Sequence, residues 1–139
     1  MKEFFLEFTG IKKQRDDFLE DFHEEFFKNS CIEEMDRNKK MQLFYLLREI
    51  IKNIYDHAEG MGSVLLKQID TGRILFKVCS PGNSYDFQKL KKEPSSKQGN
   101  KINFGRGLFL IESMLQDFTE NYSVDTSAGF CYQGEFPYS

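Results

Sequence analysis

The segment from Leu43 to Ala58 constrains the fold more than any other part of the chain. Its apolar residues recur at intervals of three and four, which is typical of one buried face of an α-helix. We expect this helix to run from near Asn38 to Glu59, with Asp36 or Asn38 as its cap and Gly60-Met-Gly62 as its end. The apolar face consists of Leu43, Leu47, Ile50, Ile51, Ile54 and Ala58.

A polar stripe follows the same helix, because Glu49, Asn53 and His57 recur at strict intervals of four. In a helix this spacing stacks the three side chains along one line. An acid, an amide and an imidazole beside a buried face can form the floor of a polar site. The other interpretation is a solvated stripe on an amphipathic helix.

The remaining elements predict an α+β two-layer sandwich in a single domain, residues 1–139. The best local signal is a hairpin, in which two apolar runs flank Asp70-Thr-Gly72. Helices and antiparallel hairpins alternate along the chain. The predicted elements are an edge strand at 2–9, a Phe-rich helix at about 11–28, hairpin strands at 63–69 and 73–79, a last helix opened by Gly105-Arg-Gly107, and strands at 120–125 and 130–136.

Composition excludes several classes of protein. The chain has 15 Phe, 6 Tyr and no Trp, so Phe is expected to fill much of the core. A net charge of −3 argues against a surface that attracts nucleic acid. No apolar stretch is long enough to span a membrane, and the N-terminus does not resemble a signal peptide. Three widely spaced cysteines predict neither a disulfide framework nor a metal site, and His23 is expected to be a surface residue without a function.

Two glycine-containing segments could meet an anion. A polar, Lys-rich stretch, residues 88–103, follows the turn Ser80-Pro-Gly82 and is expected to be a mobile loop. Its lysines either bind an anion or are simply solvated. Gly105-Arg-Gly107-Leu108 is expected just before a helix, where free N–H groups and the helix dipole favour phosphate. Helix capping or loop punctuation would also explain these glycines.

The order of these features resembles the GHKL ATPase superfamily, and most closely the small anti-sigma-factor serine kinases. The resemblance covers nearly the whole chain. It implies the ATP-binding Bergerat fold, a mixed but mostly antiparallel sheet with helices on one face. It also implies a lid over the nucleotide at roughly residues 88–104.

The resemblance assigns roles to individual residues. Glu49-Ile-Ile-Lys-Asn53 matches the family motif E-x-x-x-N, so Asn53 would hold Mg²⁺ between the phosphates of ATP, and Glu49 would act as the catalytic base. His57 matches a position that is often histidine in the small kinases. The remaining nucleotide contacts implied by the motifs are Ser80, Gly82, Lys101, Gly105, Arg106, Gly107 and Leu108.

The chain departs from the family on the adenine side. Ser80-Pro-Gly82-Asn-Ser84 stands where the family has D-x-G-x-G, so Ser80 replaces the aspartate that bonds the adenine amino group. Phe130 replaces the threonine that follows Gly129 in the family. Losing a charge-assisted hydrogen bond costs roughly 1.5–3 kcal/mol.

The function implied by the resemblance is a cytoplasmic, homodimeric ATP-dependent kinase that phosphorylates a serine of a partner protein. The partner would be an anti-sigma antagonist or a sigma factor, with no direct contact to nucleic acid or membrane. The alternative is a degenerate GHKL-fold module that regulates a partner without catalysis. A self-sufficient histidine kinase is excluded because no helix pair carries a phospho-accepting histidine, although a detached catalytic domain stays open.

Overall fold

The computed structural model describes residues 2–57, 61–81, 99–127 and 129–139, and the side chains of 57, 99–108 and 130 are outside this description. Its secondary structure is α+β, with a five-stranded sheet and, among the described residues, three α-helices. The strands are β1 (Glu3–Thr9), β2 (Met61–Asp70), β3 (Arg73–Ser80), β4 (Glu120–Asp125) and β5 (Phe130–Pro137); the helices are α1 (Arg15–Lys28), α2 (Arg37–His57) and α3 (Gly99–Phe118), with a 3₁₀ turn at Ser30–Ile32.

The strand order is β1-β2-β3-β5-β4, and all four pairings are antiparallel. The expected mixed sheet is therefore wrong for the described strands. β3 and β4 run in the same direction and are joined through α3, but β5 lies between them and pairs antiparallel with both. β1 lies at the sheet edge, as predicted.

One face of the sheet packs against the helices. Val64, Ile74, Phe76, Val78 and Phe136 are each fully buried on that face, and they alternate with partly or fully exposed residues. On α2, every described residue of the predicted apolar face is fully buried, which confirms the helix and its orientation. Ala58 lies outside the described residues.

Phenylalanine does fill much of the core, as predicted. The rings of Phe8 and Phe18 are 4.8 Å apart, and Phe22 lies 5.7 Å from Phe26 and 5.9 Å from Phe44. This chain of rings joins β1, α1 and α2. His23 is exposed, as expected.

The last helix begins earlier than predicted, at Gly99 instead of after Gly107. Gly105 and Gly107 therefore lie inside α3, and residues 99–104 of the expected lid are helical. No proline interrupts residues 99–118, and each internal glycine costs a helix only about 1 kcal/mol. Packing of α3 on α2 outweighs that cost. Residues 88–98 of the expected lid lie outside the described residues.

Candidate functional site

Ser80, which is assigned to the adenine side of a nucleotide site, lies at one end of the sheet. We call it the Ser80 end, defined by Met61 at the start of β2, Ser80 at the end of β3 and Phe130 at the start of β5. His57, the last residue of α2, is four residues before Met61. Four Cα–Cα steps span at most about 15 Å. The C-terminal turns of α2 therefore lie near the Ser80 end.

The C-terminal end of α3 is placed by β4, the strand that follows it. β4 starts at Glu120, which pairs with Glu135 near the opposite end of the sheet. α3 ends at Phe118, near that opposite end, and its 20 residues span about 30 Å. α2 begins near the same end, because the Asp36 N–H at its start donates to the Tyr138 carbonyl there, 2.6 Å away. The two helices pack against each other.

Asn53 is one of only two polar residues that are buried in the described part of the chain, with 7% of its surface exposed. Its Nδ2 donates to the Glu49 backbone carbonyl at 3.1 Å. Within the described ranges the structure contains no hydrogen bond to Oδ1. The amide is thus oriented by its own helix, and an amide oxygen can accept a donor or ligate a cation.

The Glu49 carboxylate lies between two cations. Its Oε1 is 3.6 Å from the Arg48 guanidinium and 3.6 Å from the Lys52 ammonium, and 19% of the side chain is exposed. Both cations are themselves partly exposed, so each ion pair contributes little to stability. A catalytic Glu49 would need to exchange these partners for the hydroxyl of a substrate.

Ser80 is the other buried polar residue among those described, with 2% of its surface exposed. Its hydroxyl donates to the Met61 carbonyl at 2.8 Å and so ties the end of β3 to the start of β2. A hydroxyl whose proton is committed in this way still has lone pairs that can accept an N–H. This is the hydrogen bond that a nucleobase amino group would make.

Several predicted contacts cannot be placed as side chains. Gly82 and the side chains of His57, Lys101, Arg106 and Leu108 lie outside the described residues. The prediction that Gly105-Arg-Gly107 presents free N–H groups at a helix N-terminus is wrong. These residues follow Gly99 by six or more positions, so their N–H groups point into the helix and belong to its interior hydrogen bonds.

A cavity of about 1070 Å³ opens at the Ser80 end, on the side of β1. Ser80, Gly62 and Pro81 line it together with the loop lysines Lys12 and Lys13, whereas Glu49 and Asn53 do not. Ser80 is therefore the residue that this cavity shares with the predicted nucleotide site.

Sequence reasoning missed a disulfide between Cys79 and Cys131, whose Cα atoms are 4.0 Å apart. The sequence predicted no disulfide framework, and this single link corrects that prediction. The two residues are 52 positions apart, but β3 and β5 are neighbours in the sheet and place them directly opposite each other. Only a prediction that β3 and β5 are neighbouring strands would have indicated that Cys79 and Cys131 form a disulfide. The third, Cys31, is free and buried, and burial raises the pKa of its thiol.

An ion pair that sequence reasoning also missed holds the start of α1 against the end of α2. The Arg15 guanidinium donates to both carboxylate oxygens of Asp56 at 3.0 Å, and the Tyr55 hydroxyl donates to the Lys13 carbonyl at 3.0 Å. These contacts fix the turn of α2 that follows Asn53. They are structural supports beside the candidate site, and the spacing of 41 residues gave no local signal for them.

The part of the chain that the structure describes contains no group of three or more His, Cys, Asp or Glu residues that could hold a metal ion. Within the same residues, no helix is both long and apolar enough to cross a membrane. No family model matches the chain, and no curated protein matches it.

Proposed function

We propose that this chain binds Mg-ATP at the Ser80 end, between α2 and the start of α3, and transfers the γ-phosphoryl group to a serine of a partner protein. This is the activity of the cytoplasmic anti-sigma-factor kinases that the sequence resembles. The observation that carries the proposal is Asn53: a buried amide, oriented by its own helix, whose oxygen makes no hydrogen bond within the described residues.

The residues present suit a magnesium ion that is held mainly by phosphate. An amide oxygen is a hard ligand of the kind that Mg²⁺ binds. Mg²⁺ in phosphoryl-transfer sites keeps several waters and takes few protein ligands. One amide on α2 is compatible with that arrangement. When bound, the ion would neutralise charge on the phosphates.

The adenine side would be served by Ser80. Its hydroxyl proton is bonded to the Met61 carbonyl, so its oxygen is left as the acceptor for the adenine amino group. A neutral acceptor binds less tightly than the carboxylate of the family, and we expect an affinity about tenfold to a hundredfold lower than an aspartate would provide.

Glu49 would act as the base. As the partner's serine oxygen forms its bond to the γ-phosphorus, the bond from that phosphorus to the ADP oxygen breaks, and Glu49 takes the serine proton. Arg48 and Lys52 must then give up the carboxylate. Lys101 and Arg106, whose backbone lies in the first half of α3, would add positive charge near the phosphates.

Calorimetric titration with ATP, with and without Mg²⁺, tests the binding step. Wild-type protein should bind, and the affinity should rise when Mg²⁺ is present. Asn53→Ala should remove the dependence on Mg²⁺ while the fold survives, because the lost hydrogen bond is local to α2. Asn38→Ala is the matched control, an exposed amide at the other end of the same helix. Absence of ATP binding at millimolar concentration would refute the proposal.

Transfer of labelled phosphate to a purified anti-sigma antagonist tests the catalytic step. Glu49→Gln should abolish transfer and leave ATP affinity nearly unchanged, since glutamine preserves the shape but cannot accept the proton. Glu34→Gln, an exposed acid away from α2, is the control. If Glu49→Gln transfers phosphate at the wild-type rate, Glu49 is not the base.

The second candidate is a protein-binding module of the same fold that regulates its partner without catalysis. The ion pairs around Glu49 favour it, because they occupy the only predicted base. This candidate predicts that the partner binds equally well with and without ATP. Assembly state, expected to be a homodimer, would be measured in the same samples by sedimentation.

A further inference from the structure

The Cys79–Cys131 disulfide lies on the face of the sheet opposite the buried face that packs on the described helices. Cys79 follows the buried Val78 and precedes the buried Ser80, so its side chain points to the opposite face. Both cysteines are partly exposed, and both line the cavity at the Ser80 end. A disulfide in this position is open to attack by a small thiol.

The disulfide also joins the last residues of the paired strands. In the register of β3 and β5, the pair Cys79 and Cys131 is followed only by Ser80 and Phe130. The cross-link thus lies one residue before Ser80, the last residue of β3. Without the link, this end of the ladder would be free to fray.

We propose that Cys79 and Cys131 form a reversible thiol–disulfide site, oxidised by low-molecular-weight disulfides of the glutathione type, which fixes the Ser80 end of the sheet. Formation of the link takes two exchange steps. One protein thiolate attacks a sulfur of the glutathione disulfide and expels a glutathione thiolate. The second protein thiolate then attacks the protein sulfur of the mixed disulfide and expels the other. The two protons of the original thiols end on the two glutathione molecules.

The charges around the pair indicate that Cys79 attacks first. Lys77 lies two residues before Cys79 on the same face, and its cation favours the Cys79 thiolate. Asp125 pairs with Cys131 across β4 and β5, and its carboxylate disfavours the Cys131 thiolate. Glu7 lies farther away, beyond Ser63 in the same row of the sheet. Cys31 takes no part, because it is buried and its pKa is raised.

The first measurement equilibrates the wild-type chain in glutathione buffers of increasing oxidation and counts thiols by alkylation and mass spectrometry. We expect the Cys79–Cys131 link to form and break reversibly across the series, while Cys31 stays unmodified in folded protein. Cys31→Ala should shift nothing. A link that never forms, or one that survives the fully reducing buffer, would overturn the proposal.

The second measurement compares amide hydrogen exchange in the oxidised and reduced wild-type chain. Exchange at Ser80, Phe130 and Cys131 should be at least several-fold faster after reduction, with little change at the far end of the same strands. Equal exchange at both ends would show that the link does not fix the strand end. Neither measurement uses ATP. The thiol–disulfide proposal can therefore fail while the proposed function stands, and the proposed function can fail while the thiol–disulfide proposal stands.

The third measurement assigns the attacking thiol from single variants. Cys131→Ser retains the Cys79 thiol, and Cys79→Ser retains the Cys131 thiol. Cys131→Ser should form the mixed disulfide with glutathione faster, by about threefold for each unit by which the pKa values of the two thiols differ. The reverse order of rates would exclude Cys79 as the first nucleophile.

Discussion

Breaking the Cys79–Cys131 link should lower the stability of this domain substantially. The cross-linked residues are 52 positions apart, and a loop of that length removes chain entropy from the unfolded state worth about 4 kcal/mol at 25 °C. An unfolding entropy of about 2.1 cal/mol/K per residue gives about 0.29 kcal/mol/K for the 139-residue chain. The reduced protein should therefore melt up to about 14 °C below the oxidised protein.

Circular dichroism melting of the same wild-type sample, before and after reduction, measures the difference without a mutation. Thiol counting confirms the state of each sample. Cys31→Ala should lose as much stability on reduction as the wild type, because it keeps the link. The double variant Cys79→Ala/Cys131→Ala should melt at the same temperature in both conditions. Melting temperatures of the oxidised and reduced wild type that agree within about 2 °C would refute the reasoning.

Three further predictions concern the core and the strand ends. Ser80→Ala should lower the free energy of unfolding in urea by about 1 kcal/mol, because the hydrogen bond to the Met61 carbonyl is lost. Ser80→Asp should lower it further, because it places a charge at a position that is 2% exposed. A Ser80→Asp variant more stable than the wild type would contradict this placement. Phe22→Ala should lower the free energy of unfolding by about 3–5 kcal/mol, because the ring is fully buried between α1 and α2. Phe27→Ala, at an exposed position on the same helix, is the control. The Asp70 carboxylate accepts a hydrogen bond from the Gly72 N–H, and this bond lowers the pKa of Asp70. The small contribution of Asp70 to stability should therefore be present above the ordinary carboxyl pKa and be lost as the pH falls through the lowered pKa. An NMR titration that shows an ordinary pKa for Asp70 would contradict the turn.

Local patterns in the sequence predicted most of the secondary structure correctly. The three- and four-residue spacing around Ile50 identified α2 and its buried face, and alternation around Phe76 identified the buried face of β3. Both signals work because a helix or a strand exposes one repeating side to the core, whatever it packs against. The hairpin at Asp70-Thr-Gly72 was equally local, since the turn is stabilised by its own side chain and backbone.

The start of α3 could not be predicted in the same way. Two glycines at 105 and 107 indicated a boundary, because glycine weakens an isolated helix. In the folded chain α3 nevertheless begins at Gly99, and it packs against α2. The anion site predicted at these glycines depended on the boundary and is lost with it.

Short-range spacing alone therefore predicted most elements of this protein, the buried faces of α2 and β3, and the stripe of Glu49 and Asn53 on α2. Only the packed fold decided which of these residues meet. The order β1-β2-β3-β5-β4 joins Cys79 to Cys131 across 52 residues, and the direction of α2 places Asn53 in the half of that helix nearer the Ser80 end. The physical reason is that periodicity records which side of an element is buried, whereas neighbours distant in the chain are selected by the packing of whole surfaces.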